Sequence, residues 1–342
     1  MVIEASTPNR MDLAGGTLDL YPLYLFEDWG LTLNAAIDLG SYVRLETRRD
    51  RRIHILSKDT GESASAPNLQ TLPLGGKLDL IARALRFYKP RAGVNVITQN
   101  KAPHGSGLGS SSSLLIALSA AICRLNDQPY DAEFLVRNAA DLEAQCIRVP
   151  TGKQDYYAAV HGGVNAIWFR VGLNEVEPLF APEEVPELES RIILSFTGQS
   201  RFSGATNWDM MKAYIDGVPA TRESMRNIKK TAVAMLEALR KWNWARFAEL
   251  IGEEWNNRRR LADGVSTPRV EKVMEAAASA GATASKICGA GGGGAMITYA
   301  EPSSRAAVEQ ALTEAGAQIL NYSIAREGLQ VVEVSNQQSN LA

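Results

Sequence analysis

Cysteine and histidine are scarce in this 342-residue chain, three of each, and neither clusters. Cys123, Cys146 and Cys288 have no paired spacing. That excludes a disulfide framework and a cysteine-based zinc site, and it suits a reducing, cytoplasmic setting. His54, His104 and His161 are equally scattered and form no transition-metal pattern. Long apolar runs are missing too: the longest, from Leu114, is broken by Arg124. It is too short to span a bilayer and reads as a buried helix. The N-terminus lacks the basic flank and apolar stretch of a signal peptide. Charge of one sign is not in excess. The 36 Lys and Arg residues face 38 Asp and Glu, with no long single-sign run, so nucleic acid is not an expected partner. Anionic ligands must be held by local backbone and a few chosen side chains.

What is present is the balance of a globular protein, 45% hydrophobic and 22% charged. The length favours two domains over one core. The Pro- and Glu-rich stretch APEEVPELES, from Ala181, marks the expected boundary, giving units of 1–185 and 186–342. Strand and helix patterns alternate in both, which predicts α/β and α+β architecture. Strands are expected between Ile37 and Ile55, over GVNVITQ, GGVNAIWFR, RIILSFTG, ATASKI and AMITYA, and in a final LQVVEV. Helices are expected over 78–88, from Leu114, over 132–145, near Asp155, twice within 221–257 around Trp242, over VEKVMEAAASAG and over 304–314.

Four segments carry chemistry. PHGSGLGSSSS, from Pro103, lies between a strand and an apolar helix. Gly105, Gly107 and Gly109 permit tight curvature, and the serines after them stand at a helix start, where free N–H groups receive phosphate. A flexible turn with a serine cap is the plainer alternative. The loop has neither the lysine of a P-loop nor the spacing of a dinucleotide fingerprint. KICGAGGGGAMI, from Lys286, holds five glycines, more than a hairpin turn needs. Close approach of a ligand or of an opposing loop would account for them. Glu143 suits a Mg²⁺ ligand with Ser111 beside it, or a pair along its helix; Asp155 suits a proton acceptor, or a helix cap. In the opening segment, Arg10 and Asp19 bracket the turn at Gly15 and Gly16. They suit charge stabilisation of a phosphoryl group and acceptance of substrate hydroxyls, or an exposed ion pair on a hairpin. Tyr21, Arg201 and Asn207 are further candidates for sugar or sugar-phosphate contact.

TPNRMDLAGGTLD, KAPHGSGLGSSSS and KICGAGGGG, in that order, resemble the three motifs of the GHMP kinase superfamily, and the resemblance covers nearly the whole chain. It implies a GHMP kinase fold with a ribosomal-S5-like N-terminal domain and a ferredoxin-like C-terminal domain, and ATP and sugar in the cleft between them. It implies an ATP-dependent kinase in which Gly105, Ser106, Gly107, Leu108, Gly109, Ser110, Ser111 and Ser112, with Gly289, Gly291 and Gly292, hold ATP. It further implies Ser111 and Glu143 as Mg²⁺ ligands, Asp155 as the catalytic aspartate, Arg10 and Lys153 beside the reaction centre, and Asp19 on the sugar. Within the superfamily, LAGGTLDLYP, VPTGKQDYYAAVHGGVN and SFTGQSRFSG resemble D-glycero-D-manno-heptose 7-phosphate kinases and fucokinase-like sugar kinases. Such an enzyme phosphorylates an anomeric hydroxyl. One departure is GGTLD where that subgroup has GGGTD, which puts Thr17 and Leu18 beside the sugar-binding aspartate. Kinases for fucose or galactose, an enzyme like mevalonate diphosphate decarboxylase, and a non-catalytic sugar-binding protein are the alternatives. The expected partner is a small sugar or sugar phosphate, bound by a monomer or homodimer.

Overall fold

A computed structural model of the chain describes residues 1–199 and 203–334. The first half opens with β1 (Val2–Ala14), α1 (Leu23–Phe26) and β2 (Gly30–Thr47). β3 (Ile53–Ser57), β4 (Ser63–Ala66), α2 (Asp79–Tyr88) and β5 (Val94–Asn100) follow. α3 (Ser110–Leu125), α4 (Ala132–Ile147) and α5 (Gln154–His161) then lead into β6 (Val164–Phe169) and β7 (Asn174–Pro178). The second half holds α6 (Val185–Glu189), β8 (Ile192–Phe196), α7 (Ser203–Ile215), α8 (Pro219–Arg240), α9 (Trp244–Arg258) and α10 (Pro268–Ser279). It closes with β9 (Ala284–Ile287), β10 (Ala295–Tyr299), α11 (Arg305–Glu314), β11 (Gln318–Ile319) and β12 (Gln330–Val334).

Two sheets result. The first runs β12–β1–β2–β5–β3–β4, with β6 on the other stretch of β2 and β7 beyond it; the second runs β11–β8–β10–β9. Among the described residues all pairs are antiparallel except β3 with β5. β8 to β11 lie beyond residue 185, but β12 returns to the first sheet and sets Val2 opposite Val334. The opening segment is no surface hairpin. β1 is a central strand, and its second half is buried without a break because helices of both halves pack against it. Pro8 has no N–H for the ladder, and the β1–β2 register slips between Thr7 and Asn9.

One apolar core lies between the first sheet and α2, α3 and α4; a third lies around the second sheet. The second core joins the halves: Met11 and Leu13 of β1 share it with Leu194 of β8, Leu236 of α8 and Ile251 of α9. Among the described residues no helix is long and apolar enough to cross a membrane.

Candidate active site

The strand–loop–helix from β5 to α3 sets the floor of the site. α3 begins at Ser110, four residues before its first leucine, so its first turn is all serine. The Ser113 N–H donates to Gly109 O at 2.9 Å, and the N–H groups of Ser110, Ser111 and Ser112 before it have no partner within the helix. Gly109 caps α3 at φ 81° with no side-chain bond, and a Cβ there would come 3.0 Å from the Asp155 carboxylate. Beneath, buried Asn9, Ser41 and Ser113 form a polar network with half-buried Asn100 and Ser110. Ser113 Oγ donates to Asn9 Oδ1 at 2.6 Å, and Asn100 Nδ2 donates to Ser41 Oγ at 2.6 Å. The start of α3 is thus fixed against three strands. The second glycine loop closes directly on the first: the Ala295 N–H donates to Ser106 O at 2.6 Å, and Gly107 packs against Cys288 O.

A cleft of about 580 Å³ opens above these loops. Arg10, on β1, and Asp155, in the first turn of α5, meet there: Arg10 Nε donates to Asp155 Oδ1 at 2.7 Å, with Nη2 2.6 Å from the same oxygen. Arg10 Nη1 donates to Gly107 O at 2.7 Å, tying the pair to the glycine loop. Burial pushes the Asp155 carboxyl above its usual range, and the Arg10 charge opposes the shift. Asp19 is buried on the same cleft, where its Oδ1 accepts from the Thr17 N–H and its Oδ2 from the N–H of Gln154, the residue before Asp155, both at 3.0 Å. Burial raises its pKa to about 6; the Gln154 bond works against this and the Asp155 charge adds to it.

Glu143, from α4, is buried and accepts from the hydroxyls of Ser111, of Ser112 at 2.9 Å and of Tyr156 at 2.5 Å. Burial raises this carboxyl too, against the pull of those hydroxyls. Among the described residues no cationic side chain pairs with it. One carboxylate and one exposed serine hydroxyl beside a phosphate cradle suit Mg²⁺, which takes few protein ligands and completes its shell with phosphate and water. Ser106 Oγ is buried on the cleft wall without a protein hydrogen bond. It and the first-turn N–H groups of α3 suit phosphate oxygens.

The cleft therefore gathers Arg10, Thr17, Asp19, Gly105, Ser106, Gly107, Gly109, Ser110, Ser111, Ser112, Glu143, Asp155, Asn207 and Gly289 on one surface. Five other candidates do not line it. Leu108 is in the core, with its carbonyl accepting from the Arg10 N–H at 3.0 Å. Gly291 and Gly292 turn toward Val265, whose carbonyl accepts the Gly292 N–H. Lys153 is the half-buried residue before α5, and Tyr21 stands exposed with its ring edge-on to Tyr24. Arg201 lies outside the described residues.

Sequence reasoning missed an interior charge cluster behind the cleft. Asp12 of β1, Glu254 and Arg258 of α9 and Lys286 of β9 are 0–1% exposed. Lys286 Nζ lies 3.0 Å from Asp12 Oδ2 and 3.4 Å from Glu254 Oε2. The one signal was the four-residue spacing of Glu254 and Arg258, which reads as an ordinary helix-surface pair. Ser57, Asp59, Thr60 and Lys77, at one end of the cleft, carried no signal.

Comparisons with known proteins agree with this architecture. The family model described as GHMP kinases N terminal domain matches residues 79–163, and that described as GHMP kinases C terminal matches residues 235–318. The chain is 30% identical over 337 residues to D-glycero-alpha-D-manno-heptose 7-phosphate kinase of Campylobacter jejuni, covering 96% of this chain and 98% of that protein. A crystal structure of a D-glycero-D-manno-heptose 1-phosphate kinase from Bacteroides thetaiotaomicron superposes with a TM-score of 0.78 at 28% identity, covering 97% and 99% of the two chains. Lactococcus lactis galactokinase, solved with galactose, shares the fold at a TM-score of 0.76 and 18% identity, with 96% and 95% covered.

Proposed function

The chain belongs to the GHMP kinase superfamily and is an ATP-dependent sugar kinase; from that premise we propose that it phosphorylates the anomeric hydroxyl of D-glycero-D-manno-heptose or of its 7-phosphate. The observation that carries this reading is the similarity, sustained over nearly the whole of both chains, to the Campylobacter jejuni heptose 7-phosphate kinase.

In this reading Asp155 orients the acceptor hydroxyl and takes its proton. A carboxylate whose pKa burial has raised is a better base than one in water. Arg10 holds Asp155 in place through two nitrogens, and its remaining N–H groups stabilise charge as the phosphoryl group transfers. Asp19, fixed by two backbone N–H groups, accepts from sugar hydroxyls, with Thr17 beside it and Asn207 on the lining of the same cleft. Gly105, Ser106, Gly107 and Gly109 to Ser112, with Gly289, cradle ATP. Ser111 and Glu143 would hold Mg²⁺, which would neutralise phosphate charge when bound. Lys153 and Tyr21 remain proposed contacts from outside the cleft wall, and Arg201 remains a proposed acceptor contact. We also retain 1–185 and 186–342 as the domain division, with β12 returning across it.

A panel of heptose, heptose 7-phosphate, fucose, galactose, mannose and mevalonate diphosphate tests the proposal. ADP release is followed, and product mass and phosphorylation position are read by spectrometry and NMR. Anomeric phosphorylation of a heptose substrate, at the highest kcat/KM of the panel, is expected. Preference for fucose or galactose, loss of carbon dioxide, or ATP binding without ADP release would each replace it.

A further inference from the structure

Arg258 heads the fully buried side chains by size, at 1% exposure. It sits at the last turn of α9, where its Nη2 and Nε donate to Glu254 Oε1 at 2.6 and 2.9 Å. The rest of its fork reaches both loops of the cleft. Nη2 donates to Gly16 O at 2.9 Å, and Nη1 donates to Thr17 Oγ1 at 3.3 Å and to Gly289 O at 3.2 Å. One rigid guanidinium thus holds the backbone of the loop that carries Asp19 and the backbone of the second glycine loop.

Two features of the acceptor loop are shaped to this contact. A Cβ on Gly16 would come 2.8 Å from Arg258 Nη2 and 2.6 Å from Asp12 Oδ2, so the loop passes here only as glycine. Thr17 holds φ 79°, a left-handed conformation that β-branched residues rarely adopt. Its hydroxyl accepts from Arg258 and lies 3.8 Å from the Met210 sulfur. The surrounding charges make such a burial sustainable. Asp12 and Glu254 balance Arg258 and Lys286, leaving the quartet neutral and Arg258 with donors to spare for the loops.

From this geometry we infer that Arg258 is a positioning residue that couples the two substrate sites, so that nucleotide bound at the Gly289 loop orders residues 15–20 and sets Asp19 before the acceptor arrives. The inference rests on the nucleotide reading of the glycine loops given above. It also requires reciprocity: acceptor on Asp19 must tighten nucleotide by the same factor.

The test uses the full chain, Mg²⁺ and the non-hydrolysable analogue AMP-PNP, with hydrogen exchange read over residues 15–20 and affinity read by calorimetry. In the wild type, saturating AMP-PNP should slow exchange there by about fivefold or more, the lower end of ordinary coupling. The double variant Glu254→Met with Arg258→Met removes one charge of each sign and leaves Asp12 paired with Lys286. It should bind AMP-PNP within about threefold of wild type yet lose the slowing, because coupling and affinity are separate quantities. Thr17→Val, which keeps the branched shape without the hydroxyl, should reduce the slowing and serves if the double variant does not fold. Equal slowing in wild type and variants would overturn the inference, as would AMP-PNP binding to wild type without any change at 15–20. Failure of wild type to bind AMP-PNP removes the nucleotide reading, and the coupling with it.

Discussion

Two carboxylates, Asp19 and Asp155, share the cleft in unlike surroundings. Asp155 has a guanidinium on one oxygen, whereas Asp19 has only backbone N–H groups. Replacing Asp155 by Asn keeps the size and removes the base. It should lower kcat about 100-fold or more, while calorimetric affinities for nucleotide and acceptor change far less. Turnover near that of wild type would leave Asp155 as no more than the partner of Arg10. Asp19, raised to about 6, titrates in an accessible range. Its pKa is higher folded than unfolded, so its contribution to stability is present in full below about pH 4 and lost as pH rises through 6. Asp19→Asn should therefore flatten the fall in urea-unfolding free energy between pH 4 and pH 8 by roughly 2–3 kcal/mol. It should also abolish a rise in kcat/KM as pH increases through about 6; an unchanged limb would assign that titration to another group. Arg10, Asp19 and Asp155 could be picked out from sequence because glycine turns stand beside them, whereas Glu143, inside a glycine-free helix, stood out through the family resemblance. Asp12 could not be picked out, since its partners Arg258 and Lys286 lie more than 200 residues away along the chain.

At the scale of elements, the β5–loop–α3 unit was legible because a strand pattern runs through glycines into an apolar helix. The start of α3 was placed late. Its first turn is polar, and serines there serve the cleft rather than the core. β1 was read as a turn-bearing segment for a related reason: Asn9, Arg10 and Asp12 put polar groups on a strand that is nonetheless buried. α7 (Ser203–Ile215) was not among the expected helices; its Met210, Met211 and Tyr214 bury against the third core. The Gly109 cap yields a test at this scale. Gly109→Ala meets both a positive φ and the Asp155 carboxylate at 3.0 Å. Stability should fall by only about 1 kcal/mol, the ordinary cost of alanine in that conformation. Activity should fall about 10- to 100-fold, because the displaced Asp155 no longer meets the acceptor in line. A matched small loss in both, by thermal melt and steady-state rate, would leave the cap without a catalytic consequence.

For the molecule as a whole, two domains were legible from the alternation of strand and helix patterns. Their common core was not, because which apolar faces meet across a boundary is decided by packing. Met11 and Leu13 pack with Leu194, Leu236 and Ile251, and the neutral charge quartet sits on the same seam. Heat should therefore unfold the chain in one transition, with calorimetric and van't Hoff enthalpies agreeing within about 10–20%. Two separated peaks would mean that the seam adds little.

The return of β12 has a consequence for biosynthesis. Val2 to Ser6 leave the ribosome more than 300 residues ahead of Gln330 to Val334, with which they pair. At ordinary elongation rates that partner follows roughly 20 to 60 s later. Throughout that interval one side of β1 is an unpaired edge, open to any passing strand. A nascent chain stalled before β12 should for that reason be a better client for a chaperone than its length alone would suggest.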